Sequence, residues 1–174
     1  RHYAGMVVST DPPYYDNIGY SDLSDFFYVW LRRSLRTVHP QLFRSILVPK
    51  AEELVANPHR HNGRIGAESF FKAGFEKVFA HVRNGARSDF PMTVYYAFKQ
   101  AELKEEGVAS TGWATILEGM IREGWAITAT WPVRTEMANR MIASGTNALA
   151  SSIVLVLRPR QETAGQVTRR GFLA

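Results

Sequence analysis

Residues 11–14 read Asp-Pro-Pro-Tyr and follow directly on the short apolar run "MVVST" at 6–10. These side chains suit one kind of chemistry. An amine on a flat heteroaromatic base is a poor nucleophile, because its lone pair is delocalised into the ring. Acceptors set around its N–H groups draw the nitrogen toward a tetrahedral shape and free that lone pair. Asp11 brings a carboxylate oxygen. Pro12 has no backbone N–H to donate, and its carbonyl is held in a restricted direction, which makes it a rigid second acceptor. Pro13 stiffens the corner. Tyr14 brings a ring that can stack on the base, an interaction worth about 1–3 kcal/mol in nucleic-acid sites. A base held in this way has to leave its duplex first. A plain strand-ending turn uses the same residue types, so the surrounding elements have to decide between the two.

Residues 6–10 are short, apolar and β-branched and predict a buried strand. After the corner, Ser21 is placed to cap a helix, with Asp22 and Asp25 in its first turn, where negative charge suits the dipole. Leu23, Phe26, Phe27, Trp30, Leu31, Leu35 and Val38 mark one helical face, expected to be core. Pro40 stops that helix. Residues 41–66 read as an irregular, exposed insertion. Helical periodicity returns at 67–84, with Phe71, Phe75, Val78 and Val82 on one side and Asn84-Gly85 as a stop. Residues 90–98, "FPMTVYYAF", predict a strand buried on both faces. A helix over 111–123 buries Trp113, Ile116, Leu117, Met120 and Ile121. Strands follow at 125–131 and 151–157, and the chain ends in a tail.

Strands alternating with helices predict a mainly parallel α/β sheet. Right-handed crossovers then align the carboxyl ends of the first three strands along one edge, where ligands bind in open α/β sheets. The corner at 11–14 lies on that edge. So do Lys99, a candidate contact to phosphate or base, and Trp131, a candidate wall of a base pocket. Arg134 and Arg140 follow Trp131 and are candidates for DNA contact. Tyr15 is either a further substrate contact or a core residue. His59 and His61 flank Arg60 without an acidic or cysteine partner nearby, so no metal site is expected there.

The Asp11-Pro12-Pro13-Tyr14 motif after a strand resembles the catalytic motif of the S-adenosylmethionine-dependent DNA amino-methyltransferases. The longer stretch "TDPPYYDNIGYSDLSDFFYVWLRR" resembles the large adenine-specific DNA methylase-like proteins of prokaryotes. The resemblance implies a Rossmann-like class I methyltransferase sheet with an antiparallel last strand and helices on its faces. It implies transfer of a methyl group from S-adenosylmethionine to an exocyclic amine of DNA, adenine N6 ahead of cytosine N4. Asp11 and Pro12 are then the amine acceptors and Tyr14 the stacking residue. The family holds its cofactor with a glycine-rich loop after another strand, and "IASGTNALASS" at 142–152, with one glycine leading into a strand, does not supply it. The expected organisation is therefore a catalytic-motif half over 1–160 and a tail over 161–174, with the cofactor half upstream in the same polypeptide. A cut face where that half packs is a place for homodimerisation. An RNA or protein amide substrate, or a non-catalytic nucleic-acid-binding domain of the same fold, are the rival readings.

Composition sets the outer bounds. The 174 residues suit one domain. The formal net charge is +5 and the pI about 9.7, a balance that suits a polyanionic partner. Arginines outnumber lysines, which favours phosphate contact. There is no cysteine, so disulfides and thiolate metal sites are excluded, in keeping with a reducing, cytoplasmic setting. No apolar run approaches the roughly 20 residues of a membrane span.

Overall fold

A computed structural model describes residues 7–16, 18–99, 111–133, 149–165 and 168. The elements run β1 (Ser9–Thr10), α1 (Tyr20–Leu35), α2 (Arg64–Gly85), β2 (Met92–Lys99), α3 (Thr111–Arg122), β3 (Trp125–Val133) and β4 (Leu149–Pro159). This is the predicted order. Among the described residues no helix is long and apolar enough to cross a membrane.

The four strands form one open sheet in the order β1-β2-β4-β3. β1 pairs parallel with β2, whereas β4 runs antiparallel to both β2 and β3. It follows that β1, β2 and β3 point the same way and that β4 is inserted against them. The sheet is mixed rather than mainly parallel, because the one reversed strand sits inside the sheet and makes two of its three pairings antiparallel. The carboxyl ends of the other three strands still share one edge.

Period-2 alternation sorts the two faces of the sheet. Met92, Val94 and Tyr96 on β2, with Leu155 and Leu157 on β4, are buried against Phe71, Phe75 and Phe79 of α2 and Ile116 and Met120 of α3. Trp125, fully buried at the start of β3, donates from its indole nitrogen to the Phe79 carbonyl at 3.1 Å and ties β3 to α2. Both packed helices lie against this one face. Across the register, Tyr95, Val154 and Trp131 form a row on the opposite face, where Tyr95 and Trp131 are exposed. On that face β2 is open at Tyr95 but buried at Ala97, beside Ser152 and Val154 of β4, so the second face is covered only in part.

Three local expectations change. β1 is two residues long, and Val7 before it is exposed, because only Ser9 and Thr10 have partners on β2. The buried stripe of α2 is Ala67, Phe71, Phe75 and Phe79, and Val78 lies outside it. In α3, Ile116 and Met120 are buried while Ile121 is exposed. Gly124 turns the chain from α3 into β3 with φ +79°, a conformation glycine adopts at little cost.

The largest departure is α1. Most of its predicted core face is exposed, with Leu23 64% exposed, Phe26 68%, Phe27 65% and Trp30 60%, and of that face Leu35 alone turns inward. The inward stripe is instead Ser21, Asp25, Tyr28, Arg32 and Leu35, spaced four and three residues apart. That stripe meets the 42–60 segment through polar contacts. The Val48 N–H donates to Asp25 at 2.9 Å and the Lys50 ammonium at 2.7 Å. The Tyr28 hydroxyl donates to the Ser45 carbonyl at 3.0 Å, and its ring packs on Phe43. The helix ends at Leu35, ahead of Pro40.

Candidate active site

The corner is built by where β1 stops. Thr10 stands opposite Val94, whereas β2 continues to Lys99. The next residues, Asp11 and Pro12, therefore run beside the second half of β2 without a ladder, and Pro12 has no N–H to extend one. Pro12 is buried, Pro13 and Tyr14 are half-buried, and Asp11 is exposed. The Tyr14 hydroxyl donates to Asp11 Oδ1 at 2.9 Å. The Tyr14 ring meets Tyr96 of β2 edge to face, with centroids 5.6 Å apart, and Tyr96 in turn packs on Trp113 of α3 at 5.8 Å. Carboxylate and ring thus share one exposed rim, backed by an aromatic layer from β2 and α3.

Tyr15 is a core anchor rather than a substrate contact. Its ring packs against Phe71 at 5.0 Å, its N–H donates to the Tyr96 hydroxyl at 3.4 Å, and its carbonyl accepts the Ala56 N–H at 2.8 Å. Burial, then the negative charges of Glu68 and Asp16, push its phenol pKa up. Gly112, at the start of α3, makes the close approach possible: a Cβ there would stand 2.7 Å from Tyr15 Cβ and 3.2 Å from the Tyr96 hydroxyl.

A second tie fixes the far side of the corner. Ser21 does not cap α1; the helix begins after Gly19 with no side-chain cap. Glu53 reaches in from the irregular segment instead, accepting the Ser21 N–H at 2.8 Å and the Ser21 hydroxyl. Arg60 holds Glu53 at 2.6 Å and also pairs with Asp22. Asp22 does stand in the first turn of α1, where its charge suits the dipole, while making no side-chain cap bond. It and Asp25 also anchor residues 48–60 through Arg60, Lys50 and the Val48 N–H. Burial acts to raise the Glu53 pKa, but the Ser21 and Arg60 hydrogen bonds outweigh it and hold the carboxyl below its usual range. Tyr20 is pushed up by burial, then by the nearby charges of Asp11 and Glu53. Residues 41–63 contain no helix or strand, yet Phe43, Val55 and Ala56 are buried. This segment braces the corner.

The remaining candidates lie apart. Lys99 ends β2 on the same sheet edge as the corner. Trp131 is 62% exposed on β3, three strands from β1 and so about 14 Å away at the usual strand spacing, too far to wall the corner. Arg134 and Arg140 lie outside the described residues. His61 stacks on Phe70 at 3.8 Å. Sequence reasoning missed Glu53, Arg60, Tyr96 and Gly112 as supports. The one available signal was the apolar trio Leu54-Val55-Ala56 inside a charged stretch. In comparisons with protein-family models, curated proteins and solved structures, nothing matches this chain.

Proposed function

We propose that this chain carries the base-binding side of an S-adenosylmethionine-dependent amino-methyltransferase that acts on DNA, with the adenine N6 amine as substrate. One observation carries the reading. An Asp-Pro-Pro-Tyr corner, with Tyr14 hydrogen-bonded to Asp11, stands at the carboxyl end of a sheet whose reversed last strand is inserted between β2 and β3. An antiparallel last strand is what the resemblance to a Rossmann-like class I methyltransferase sheet implies, and it supports this reading.

Asp11 Oδ1 is engaged by Tyr14, which leaves Oδ2 without a partner among the described residues. Oδ2 is the acceptor for one N–H of an incoming exocyclic amine. Tyr14, fixed at both its hydroxyl and its ring, supplies a surface that needs little ordering when a base arrives. The carboxylate raises the electron density of the amine nitrogen and stabilises positive charge that grows there as the nitrogen is alkylated. S-adenosylmethionine, when bound, supplies an electrophilic methyl group. Among the described residues no glycine-rich turn follows β1 or β4. The chemistry assigned to this chain is therefore confined to the amine.

The test is methyl transfer from labelled S-adenosylmethionine to DNA, with the modified nucleoside identified by mass, using the natural polypeptide that contains this chain. Label on adenine N6 that disappears in Asp11→Ala, with folding intact, is the expected result. Unchanged turnover in that variant would overturn the role of Asp11. Label on RNA or protein, with none on DNA, would overturn the substrate.

A further inference from the structure

We infer that α1 and the segment packed beneath it form an arm that grips unpaired DNA next to the target base. The inference rests on the reading of the corner as a DNA-base site and adds to it the surface that holds the rest of the strand. Two observations carry it.

The first is charge. Residues 26–51 contain Arg32, Arg33, Arg36, Arg44 and Lys50 and no aspartate or glutamate. Lys50 is paired with Asp25. Arg32 lies on the inward stripe with its Nε buried. The exposed Arg33, Arg36 and Arg44 have no acidic partner among the described residues. Elsewhere among the described residues Arg60, Arg87 and Arg122 are paired with carboxylates, whereas Arg83 and Arg158 are turned to backbone carbonyls. What distinguishes the α1 region is that its arginines are close together in sequence with no acid among them. An acid-free cluster of guanidinium groups complements a polyanion.

The second is what stands beside that charge. The inverted packing of α1 turns its polar seam inward and leaves Phe26, Phe27 and Trp30 exposed, with Arg33 exposed along the same helix. Exposed rings interleaved with arginines are the means by which proteins hold single strands, because every base offers a face for stacking. The α1 axis is about 24 Å long at 1.5 Å per residue. It begins six residues after Tyr14, where Ser21 is locked to Glu53, so its near end is fixed beside the corner. An amine chemistry that needs a base out of its duplex leaves unstacked neighbours, and the rings of α1 fit those neighbours better than they fit an intact helix.

The experiment measures binding of labelled single-stranded and duplex oligonucleotides to the 174-residue chain by fluorescence anisotropy across a salt series, with no methyl donor present. Three proteins are compared: the native sequence, the double variant Phe27→Ala/Trp30→Ala and the triple variant Arg33→Gln/Arg36→Gln/Arg44→Gln. All five positions are exposed, so the fold is expected to survive, and circular dichroism checks it. The native chain is expected to favour the single strand. Loss of the rings should weaken single-strand binding by about tenfold or more and erase that preference. Loss of the arginines should make the logarithmic salt dependence shallower by about 2. Failure of the native chain to bind at low salt, or equal binding by all three proteins, overturns the inference. So does a finding that the rings control self-association in sedimentation and not DNA binding. Methyl transfer fails separately: arm variants that lose DNA while the intact enzyme transfers no methyl group to DNA leave the arm standing and remove the methyltransferase reading.

Discussion

The Tyr14 hydroxyl donates to Asp11 Oδ1 at 2.9 Å across a corner stiffened by two prolines. The two groups most suited to holding an amine therefore also hold each other. Removing the hydroxyl alone should separate orientation from stacking. Tyr14→Phe keeps the ring and its packing on Tyr96 but frees the carboxylate, and should lower turnover by about 3- to 10-fold, in line with the loss of one hydrogen bond of about 1 kcal/mol. Tyr14→Ala removes the ring as well and should be far more damaging. Single-turnover methyl transfer compares the two, and equal losses would show that the ring contributes nothing.

The Glu53–Ser21–Arg60 cluster makes a prediction about acid. The folded-state pKa of Glu53 is lowered, so its contribution to stability is complete above its unfolded value of about 4.5 and is lost as the pH falls through the lower folded value. Asp25, lowered chiefly by its Lys50 hydrogen bond, acts in the same direction. Glu53→Gln should be less stable than the native chain at neutral pH. The gap should narrow as the pH drops below about 4.5. Urea melts at a series of pH values measure this directly.

Gly112→Ala should cost more than helix propensity alone suggests. Alanine favours a helix over glycine by about 1 kcal/mol, but here its methyl would meet Tyr15 Cβ at 2.7 Å. That atom is fixed to the backbone and cannot swing aside, so the corner has to shift. A net loss of about 1–3 kcal/mol is expected, with activity falling further than stability.

Trp125→Phe gives the contrasting case. It removes a buried indole and its 3.1 Å bond to the Phe79 carbonyl, at the end of the sheet away from the corner. About 1–3 kcal/mol of stability should be lost, from the missing hydrogen bond and the cavity left behind. Below the melting temperature the variant should still work. Paired thermal melts and rate assays on the two variants separate support of the corner from support of the core.

The reach and limits of the sequence show in particular elements. The order of strands and helices was legible because each element carries its own period and ends at glycine or proline. The corner at 11–14 was legible because its residues are adjacent. What periodicity could not give is which side of a helix meets the protein. On α1 the apolar stripe was plain, and the rule that apolar faces turn inward failed, because Ser21, Asp25 and Tyr28 have partners at Glu53, Lys50 and Ser45. Those partners lie 17 to 32 residues away in a segment without period, so nothing local announced them. The sheet order was hidden for a similar reason: only tertiary pairing reveals that β4 enters between β2 and β3.

The two-residue pairing of β1 bears on the order in which the molecule assembles and comes apart. Ser9 and its partner Thr93 are 84 residues apart in the chain, whereas Val133 and Ser152 are 19 apart. Closing the longer loop costs about 1.3 kcal/mol more in chain entropy, and only two pairs are gained for it. The β3–β4 pairing is the cheaper one to form, and β1 is added to a sheet already in place. On warming, the same asymmetry runs in reverse: the β1 ladder is the cheapest pairing to lose, and what then keeps the corner in place is Tyr14 on Tyr96 and Tyr15 on Phe71, not the sheet.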